Sequence, residues 1–402
     1  MGEPMNETLD AVLAAGVDSG AVPGVTATVV NRDGVVWEGA AGERSIGGGA
    51  PMAPDTPGAI FSMTKAITGA AAMQLVEQGK LDLDAPAGQV CDQLADPQVL
   101  TGFDADGQPQ TRPAVGDVTL RNLLTHTSGF TYADIWNSDI GKWCEVTETP
   151  SLFSLLLSSL STPLAFDPGT RWEYGTGIDW AGQMVERASG MTLGEYFAAN
   201  VTGPLGMNDT TFAPDDALIS RAAGMHARTP DGLVPIELPA AEAPEFEMGG
   251  GGLFSTMPDY GRFIRMMLND GELDGNRILS SETVAEMSQN HIGNLRVTEL
   301  VSHAPGFSND AELFPGEEKS WGLTFQIHEE AGSTGRPAGT LMWAGLANSY
   351  YCIDRANGIG AAYMTQILPF GDEGSLNTYY DLERTMYANV EIDVTEASTA
   401  IT

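Results

Sequence analysis

Phe61-Ser62-Met63-Thr64-Lys65 opens a run, Ala66-Ile67-Thr68-Gly69-Ala70-Ala71-Ala72-Met73-Gln74-Leu75-Val76-Glu77-Gln78, that stops at Gly79. Ala66, Ile67, Ala70, Met73 and Val76 recur at helical spacing and glycine is a favoured terminator, so the spacing predicts a helix over 62–78. Residues three apart share a helix face, which lets the Ser62 hydroxyl and the Lys65 amine meet. A neutral amine there takes the hydroxyl proton and makes Ser62 a nucleophile, provided burial lowers the lysine pKa from its reference of about 10.4. Placement at the helix N-terminus favours the negative charge that such chemistry develops. The chain holds only four lysines, and only Lys65 has a serine three residues before it.

Outward from this helix, Val25, Ala27 and Val29 alternate, Asn31-Arg32-Asp33-Gly34 breaks the run, and Val35 and Trp37 resume it. That pattern is strand, turn, strand, and helical spacing over 5–15 precedes it. Near the other end, 339–343, 349–354 and 360–366 read as strands, followed by a helix over 376–390. The middle reads as mostly helix and loop. Ile178, Ala181, Val185 and Ala188 predict a helix over 178–189 that stops at Gly190, and a second over 259–268 follows Pro258, with Phe263, Met266 and Met267 as candidate core. The stretches 103–116, 132–148 and 228–248 read as irregular loops of the length that usually carries function. An α/β (α+β) class follows, with an antiparallel sheet built from N- and C-terminal segments and flanked by helices. All of 1–402 is expected to form one domain, with an α/β part at 1–80 and 250–402 and a mainly helical part at 81–249.

Among the 402 residues, 54 Asp and Glu face 19 Lys and Arg, a formal charge of −35. Such a surface repels phosphates and anionic headgroups, so nucleic acid and membrane are excluded as partners and a small molecule is expected. No apolar run approaches the roughly 18 residues of a membrane span. The first residues carry Glu3, Glu7 and Asp10 with no basic flank and do not read as a secretory signal. Cys91, Cys144 and Cys352, odd in number and widely spaced, fit free thiols in a reducing compartment, so the expected location is cytoplasmic. The five histidines never fall within five residues of one another, which argues against a metal site. His126 is expected to be structural. Asp104-Ala105-Asp106-Gly107 lacks the later ligands of a calcium loop and reads as a turn. Gly249 to Gly252 lacks the Lys-Ser or Lys-Thr of a phosphate loop and is expected to allow close backbone packing. No serine has the Gly-x-Ser-x-Gly setting of an α/β-hydrolase.

Two further places suit acyl chemistry. Tyr174 follows the turn Pro168-Gly169-Thr170-Arg171-Trp172-Glu173 and precedes Gly175-Thr176-Gly177 and a helix, where its hydroxyl is able to relay protons. Trp343-Ala344-Gly345-Leu346 ends a strand, and glycine there lets a backbone N–H approach a substrate oxygen. Together with Phe61–Lys65, the blocks Gly79-Lys80-Leu81-Asp82-Leu83-Asp84-Ala85-Pro86, Leu123-Leu124-Thr125-His126-Thr127-Ser128-Gly129-Phe130, Pro168–Tyr174, Gly250-Gly251-Gly252-Leu253-Phe254-Ser255-Thr256 and Leu368-Pro369-Phe370-Gly371-Asp372 occur in a recognisable order. Over about 23–372 the chain resembles the serine β-lactamase and penicillin-binding-protein superfamily, in its class C-like branch with the family VIII carboxylesterases and transesterases.

The resemblance implies that fold, no cofactor and no metal. It implies Ser62 as the acylated nucleophile, Lys65 as the group that deprotonates it, and Tyr174 as the relay to the leaving group and activator of the deacylating water. It further implies the backbone N–H groups of Ser62 and Leu346 as an oxyanion hole, with Trp343, Gly345, Thr176 and Tyr132 at the substrate. Two departures stand out. Trp343 occupies the place of the lysine in the Lys-Thr-Gly strand motif of β-lactamases, and Thr176 that of the asparagine two residues after the tyrosine. An indole forms no ion pair with a carboxylate, so the implied activity is carboxylesterase on short-chain uncharged esters. The alternative is an acyltransferase, transesterase or amidohydrolase, including weak β-lactamase or D-peptidase activity, on a specialised metabolite. A non-catalytic binding module is disfavoured by the joint presence of Ser62, Lys65 and Tyr174.

Overall fold

The computed structural model describes residues 3–239 and 241–389. Five helices matter here: α1 (Glu3–Asp18), α2 (Thr64–Glu77), α3 (Gly177–Ser189), α4 (Met257–Leu268) and α5 (Glu373–Asn389). The last covers most of the helix predicted over 376–390; residue 390 lies outside the described residues. The alternating segment near the N-terminus forms a hairpin of β1 (Gly24–Asn31) and β2 (Val35–Gly42). Its turn is held by Asn31 Oδ1, which accepts the N–H groups of Asp33 at 3.0 Å and Gly34 at 2.9 Å, the local bond that makes asparagine a turn residue.

β1 then pairs with strands from the far end of the chain. With β3 (Lys319–Trp321), β4 (Gln326–His328), β5 (Leu341–Gly345), β6 (Ser349–Asp354) and β7 (Ile359–Met364), the antiparallel order is β3-β4-β5-β6-β7-β1-β2. The sequence reading misses β3 and β4, because three residues are too few to show a period of two.

Register sorts the side chains. Ala27, Tyr363 and Tyr350 stand in one row, and Thr28, Ala362, Tyr351 and Trp343 in the next. The first row faces α5, where Tyr350 stacks on Tyr379 with ring centres 4.9 Å apart. The second faces α4, where Tyr260 meets Tyr351 at 5.1 Å. With both faces covered, β1 is buried at successive positions from Gly24 to Val30 and not at alternate ones. Trp343 thus points to the α4 side, the side on which α2 lies.

The middle of the chain departs from the expected helix and loop. The stretch 103–116 belongs largely to a hairpin of Gln98–Phe103 with Pro109–Pro113, whose turn uses Asp104 Oδ1 to accept from Asp106 and Gln108. The stretch 228–248 holds most of a second hairpin, Met225–Thr229 with Gly232–Ile236. The stretch 132–148 contains the helix Ser138–Thr147, capped by the Asn137 side chain. These ribbons and this helix are largely solvent-facing, so no strong apolar periodicity announced them. Among the described residues no helix is long and apolar enough to cross a membrane.

Candidate active site

The segment predicted as a helix from Ser62 starts instead as a 3-10 turn, Phe61–Met63, and α2 begins at Thr64. Phe61 carries φ +43°, a left-handed backbone that costs a non-glycine residue of order 1–3 kcal/mol and persists only when neighbours hold it. Two neighbours do. The Ile60 N–H donates to Leu253 O at 3.0 Å. On the other side Gly345 ends β5 so close that a Cβ there would sit 2.4 Å from the Ile60 carbonyl oxygen, so glycine is required and the Leu346 peptide follows beside the turn that carries Ser62. Asn348 then ties this strand end to the 367–372 segment. Its Nδ2 donates to Ile367 O and Pro369 O, each at 2.8 Å, and its Oδ1 accepts the Asp372 N–H at 3.0 Å.

α2 is buried on every face from Thr64 to Leu75, not along one stripe, which is why small residues fill it. Lys65 on this helix has no solvent exposure. Its Nζ donates to Ser62 Oγ at 2.9 Å, Tyr132 Oη at 2.9 Å and Gly250 O at 2.6 Å. Those acceptors are hydroxyls and a carbonyl. Burial lowers the Lys65 pKa to about 7, and the more distant Asp179 charge works against that shift. At neutral pH a substantial share of the amine is therefore unprotonated and able to accept the Ser62 proton.

Tyr174 closes the cluster from the other side, just ahead of α3. Its ring lies 4.6 Å from His126, 5.2 Å from Tyr132, 5.3 Å from Trp136 and 4.9 Å from Trp343, centre to centre. Its hydroxyl accepts from Trp343 Nε1 at 3.0 Å. Burial pushes the hydroxyl pKa up, and hydrogen bonds with Ser62 and Trp343 offset this in part, so the group remains a proton donor at neutral pH. Burial likewise raises Tyr132, whose hydroxyl interacts with both Tyr174 and Ser62. His126 is buried and kept neutral, first by desolvation and then by the Lys65 charge; its Nδ1 accepts the Gly175 N–H at 3.3 Å, a structural bond.

Ser62, Lys65, Tyr174, Trp343, Tyr132 and Gly345 thus converge, some in positions other than those expected. Tyr132, expected at the substrate, is bonded to Lys65 itself. Trp343 directs its N–H to Tyr174. Thr176 caps α3 without a side-chain capping bond and lines, with Tyr132, Thr131 and Asp134, a cavity of about 40 Å³. The sequence reading missed Asp179, fully buried in the first turn of α3. Its one local signal is an acid enclosed by Gly177, Ile178, Trp180 and Ala181. The glycine run 249–252 is where the packing expectation applies: the Gly249 carbonyl accepts Thr68 Oγ1 at 2.7 Å, and that of Gly250 accepts Lys65.

Over residues 9–385 the chain matches the Beta-lactamase family, and it belongs to that family. It is 32% identical over 380 residues to a lovastatin esterase of Penicillium rubens, an alignment covering 90% of this chain and 93% of that one. It is 30% identical over 352 residues to a monacolin J acid methylbutanoyltransferase of Aspergillus terreus, covering 85% and 84%. Among solved structures, unliganded simvastatin synthase (LovD) from Aspergillus terreus superposes with a TM-score of 0.83 at 28% identity, covering 98% of this chain and all of that one. The fold is that of the serine β-lactamase and penicillin-binding-protein superfamily, and the family is one of enzymes.

Proposed function

We propose that this protein cleaves short-chain, uncharged carboxylic esters through an acyl-enzyme on Ser62 and delivers the acyl group to water or to an alcohol. The observation that carries the reading is the 2.9 Å bond between a fully buried, carboxylate-free lysine amine and the Ser62 hydroxyl. Lys65 accepts the Ser62 proton as Oγ attacks the ester carbonyl. The backbone N–H groups of Ser62 and Leu346 stabilise the oxyanion. Tyr174 then gives its hydroxyl proton to the departing alkoxide and recovers one from the incoming water or alcohol as that attacks the acyl carbonyl; the acyl–Oγ bond breaks and Lys65 returns its proton to Ser62 Oγ, which resolves the acyl-enzyme.

Substrate charge is addressed by Trp343 and by the surface. With its N–H committed to Tyr174, the indole offers no cation for a substrate carboxylate, and a net charge of −35 disfavours anions at longer range. Hydrolysis and transfer share every step up to the acyl-enzyme. Transfer to an alcohol is supported by the aromatic enclosure of Tyr132, Trp136, Tyr174 and Trp343, which limits water, and by relatives named as methylbutanoyltransferases. A small-molecule ester as partner and a cytoplasmic setting belong to the same proposal.

The test offers p-nitrophenyl butyrate and nitrocefin to the purified protein, with and without an alcohol acceptor, and follows products by mass. Butyrate ester turnover with slow nitrocefin turnover is expected, and a butyrate ester of the acceptor identifies transfer. Rapid nitrocefin hydrolysis with inert esters overturns the reading. Ser62→Ala is expected to lower ester turnover by at least about a thousandfold, with loss of the butyryl adduct on intact protein.

A further inference from the structure

Asp179 and Lys65 are joined through one residue. The Asp179 Oδ1 accepts the Gly250 N–H at 2.8 Å, and the Gly250 carbonyl accepts Lys65 Nζ at 2.6 Å. A Cβ on Gly250 would stand 2.5 Å from Asp179 Oδ2 and 2.9 Å from Oδ1, so the glycine is what lets the carboxylate lie against this backbone. Asp179 Oδ2 is buried and has no hydrogen-bond partner among the described residues. A carboxylate kept in that state is costly as a mere structural tie, because a neutral side chain would satisfy the single N–H at lower desolvation cost.

The other groups around the pair are neutral. Ser62 faces Lys65 from the 3-10 turn just ahead of α2, His126 and Tyr132 from the 125–137 segment, and Tyr174 from the approach to α3. The Asp179 charge also reaches Tyr132 and Tyr174, both of which it helps keep protonated. One buried acid and one buried base therefore make up the charge of the site.

We propose that Asp179 is a positioning residue for the acyl-transfer reaction: through Gly250 it aims the Lys65 amine at Ser62, and its negative charge tunes how readily that amine gives up its proton. The proposal rests on the reading of Ser62 as nucleophile and Lys65 as its base. Desolvation raises the Asp179 pKa to about 6, with Lys65 opposing, and the Lys65 pKa of about 7 is held up by Asp179 in turn. The two titrate as a pair. Removing the acid's charge makes the ammonium harder to keep, so the amine becomes a base at lower pH.

Asp179→Asn retains an oxygen for the Gly250 N–H and removes only the charge. The acidic limb of kcat/KM for p-nitrophenyl butyrate, and of the rate of fluorophosphonate labelling, is expected to move down by about one pH unit. Asp179→Ala, which abandons the Gly250 N–H as well, is expected to lose a further factor of about a hundred through misplacement of the amine. A merely structural role lowers activity or melting temperature and leaves the limb where it was. An unmoved limb in folded Asp179→Asn overturns the proposal. If that variant fails to fold, Gly250→Ala displaces the same carboxylate, and an unmoved limb there overturns it equally. Ser62→Ala separates the two levels: residual activity in it sinks the nucleophile reading, whereas an inactive Ser62→Ala with an unmoved Asp179→Asn limb sinks only the role of Asp179.

Discussion

Lys65 and Lys319 are buried to almost the same degree, at 0% and 2% relative exposure, and keep very different company. Lys319 Nζ donates to the Glu312 carboxylate at 2.8 Å and to Phe314 O at 2.6 Å. Close by, Arg336 and Glu383, both without exposure, form a two-pronged pair at 2.6 and 2.5 Å, with Thr334 donating to the same carboxylate and Phe314 stacked 3.9 Å from the guanidinium. Burial works against the Arg336 charge, and Glu383 together with Tyr379 more than offsets it. His328 between these cations is driven down to about 2, by desolvation first and by Arg336 and Lys319 next, so it stays neutral and accepts from Arg336 at 2.8 Å.

The second cluster pins its charges with carboxylates in contact, and the first does not. Lys65 touches two hydroxyls and a carbonyl, and its nearest acid acts from beyond Gly250. Depth alone therefore does not create a reactive amine. What does is depth without a contacting counter-charge, which brings the neutral form within reach at physiological pH.

The largest effect that would break this contrast is at Lys65. Lys65→Met is expected to keep the fold, by circular dichroism and melting temperature, and to lose between about a hundredfold and ten-thousandfold in ester turnover; retained turnover would place the base elsewhere. Next comes Glu383→Gln, which strips the buried Arg336 of its partner. Denaturant unfolding is expected to show a loss of about 3–5 kcal/mol, while turnover per folded molecule is unchanged; a selective loss of activity would mean that the two clusters are coupled. The smallest effect is read from the wild-type protein. Only the unprotonated amine accepts the Ser62 proton, so kcat/KM on a neutral ester is expected to climb about tenfold per pH unit below a midpoint near 7 and to level above it. A profile flat through the midpoint would show that Lys65 does not titrate during the reaction.

Much of this was legible from local pattern. Ser62 and Lys65 meet because three helical positions bring them to one face, and the 3-10 start of the segment changes the bounds and not the contact. The β1–β2 hairpin was legible because Asn31 turns the chain by its own side chain and the apolar alternation is strong. The hairpins of the middle were not, since Gln98–Phe103 and Gly232–Ile236 are largely solvent-facing and their apolar residues do not alternate. Tyr132 was visible as a site residue, but its bond to Lys65 spans 67 positions and no local period reports it.

Local spacing thus suffices for the Ser62–Lys65 contact and the sheet strands that show a period, because those follow from bonds made within a few residues. The charge state of the Lys65 amine does not follow from spacing. It depends on full burial of α2, on a glycine that lets Asp179 lie against the backbone under Lys65, and on Trp343 crossing from β5 to the Tyr174 hydroxyl. Desolvation and through-space charge are set by neighbours remote in the chain, so packing decides whether Lys65 is an inert cation or a base.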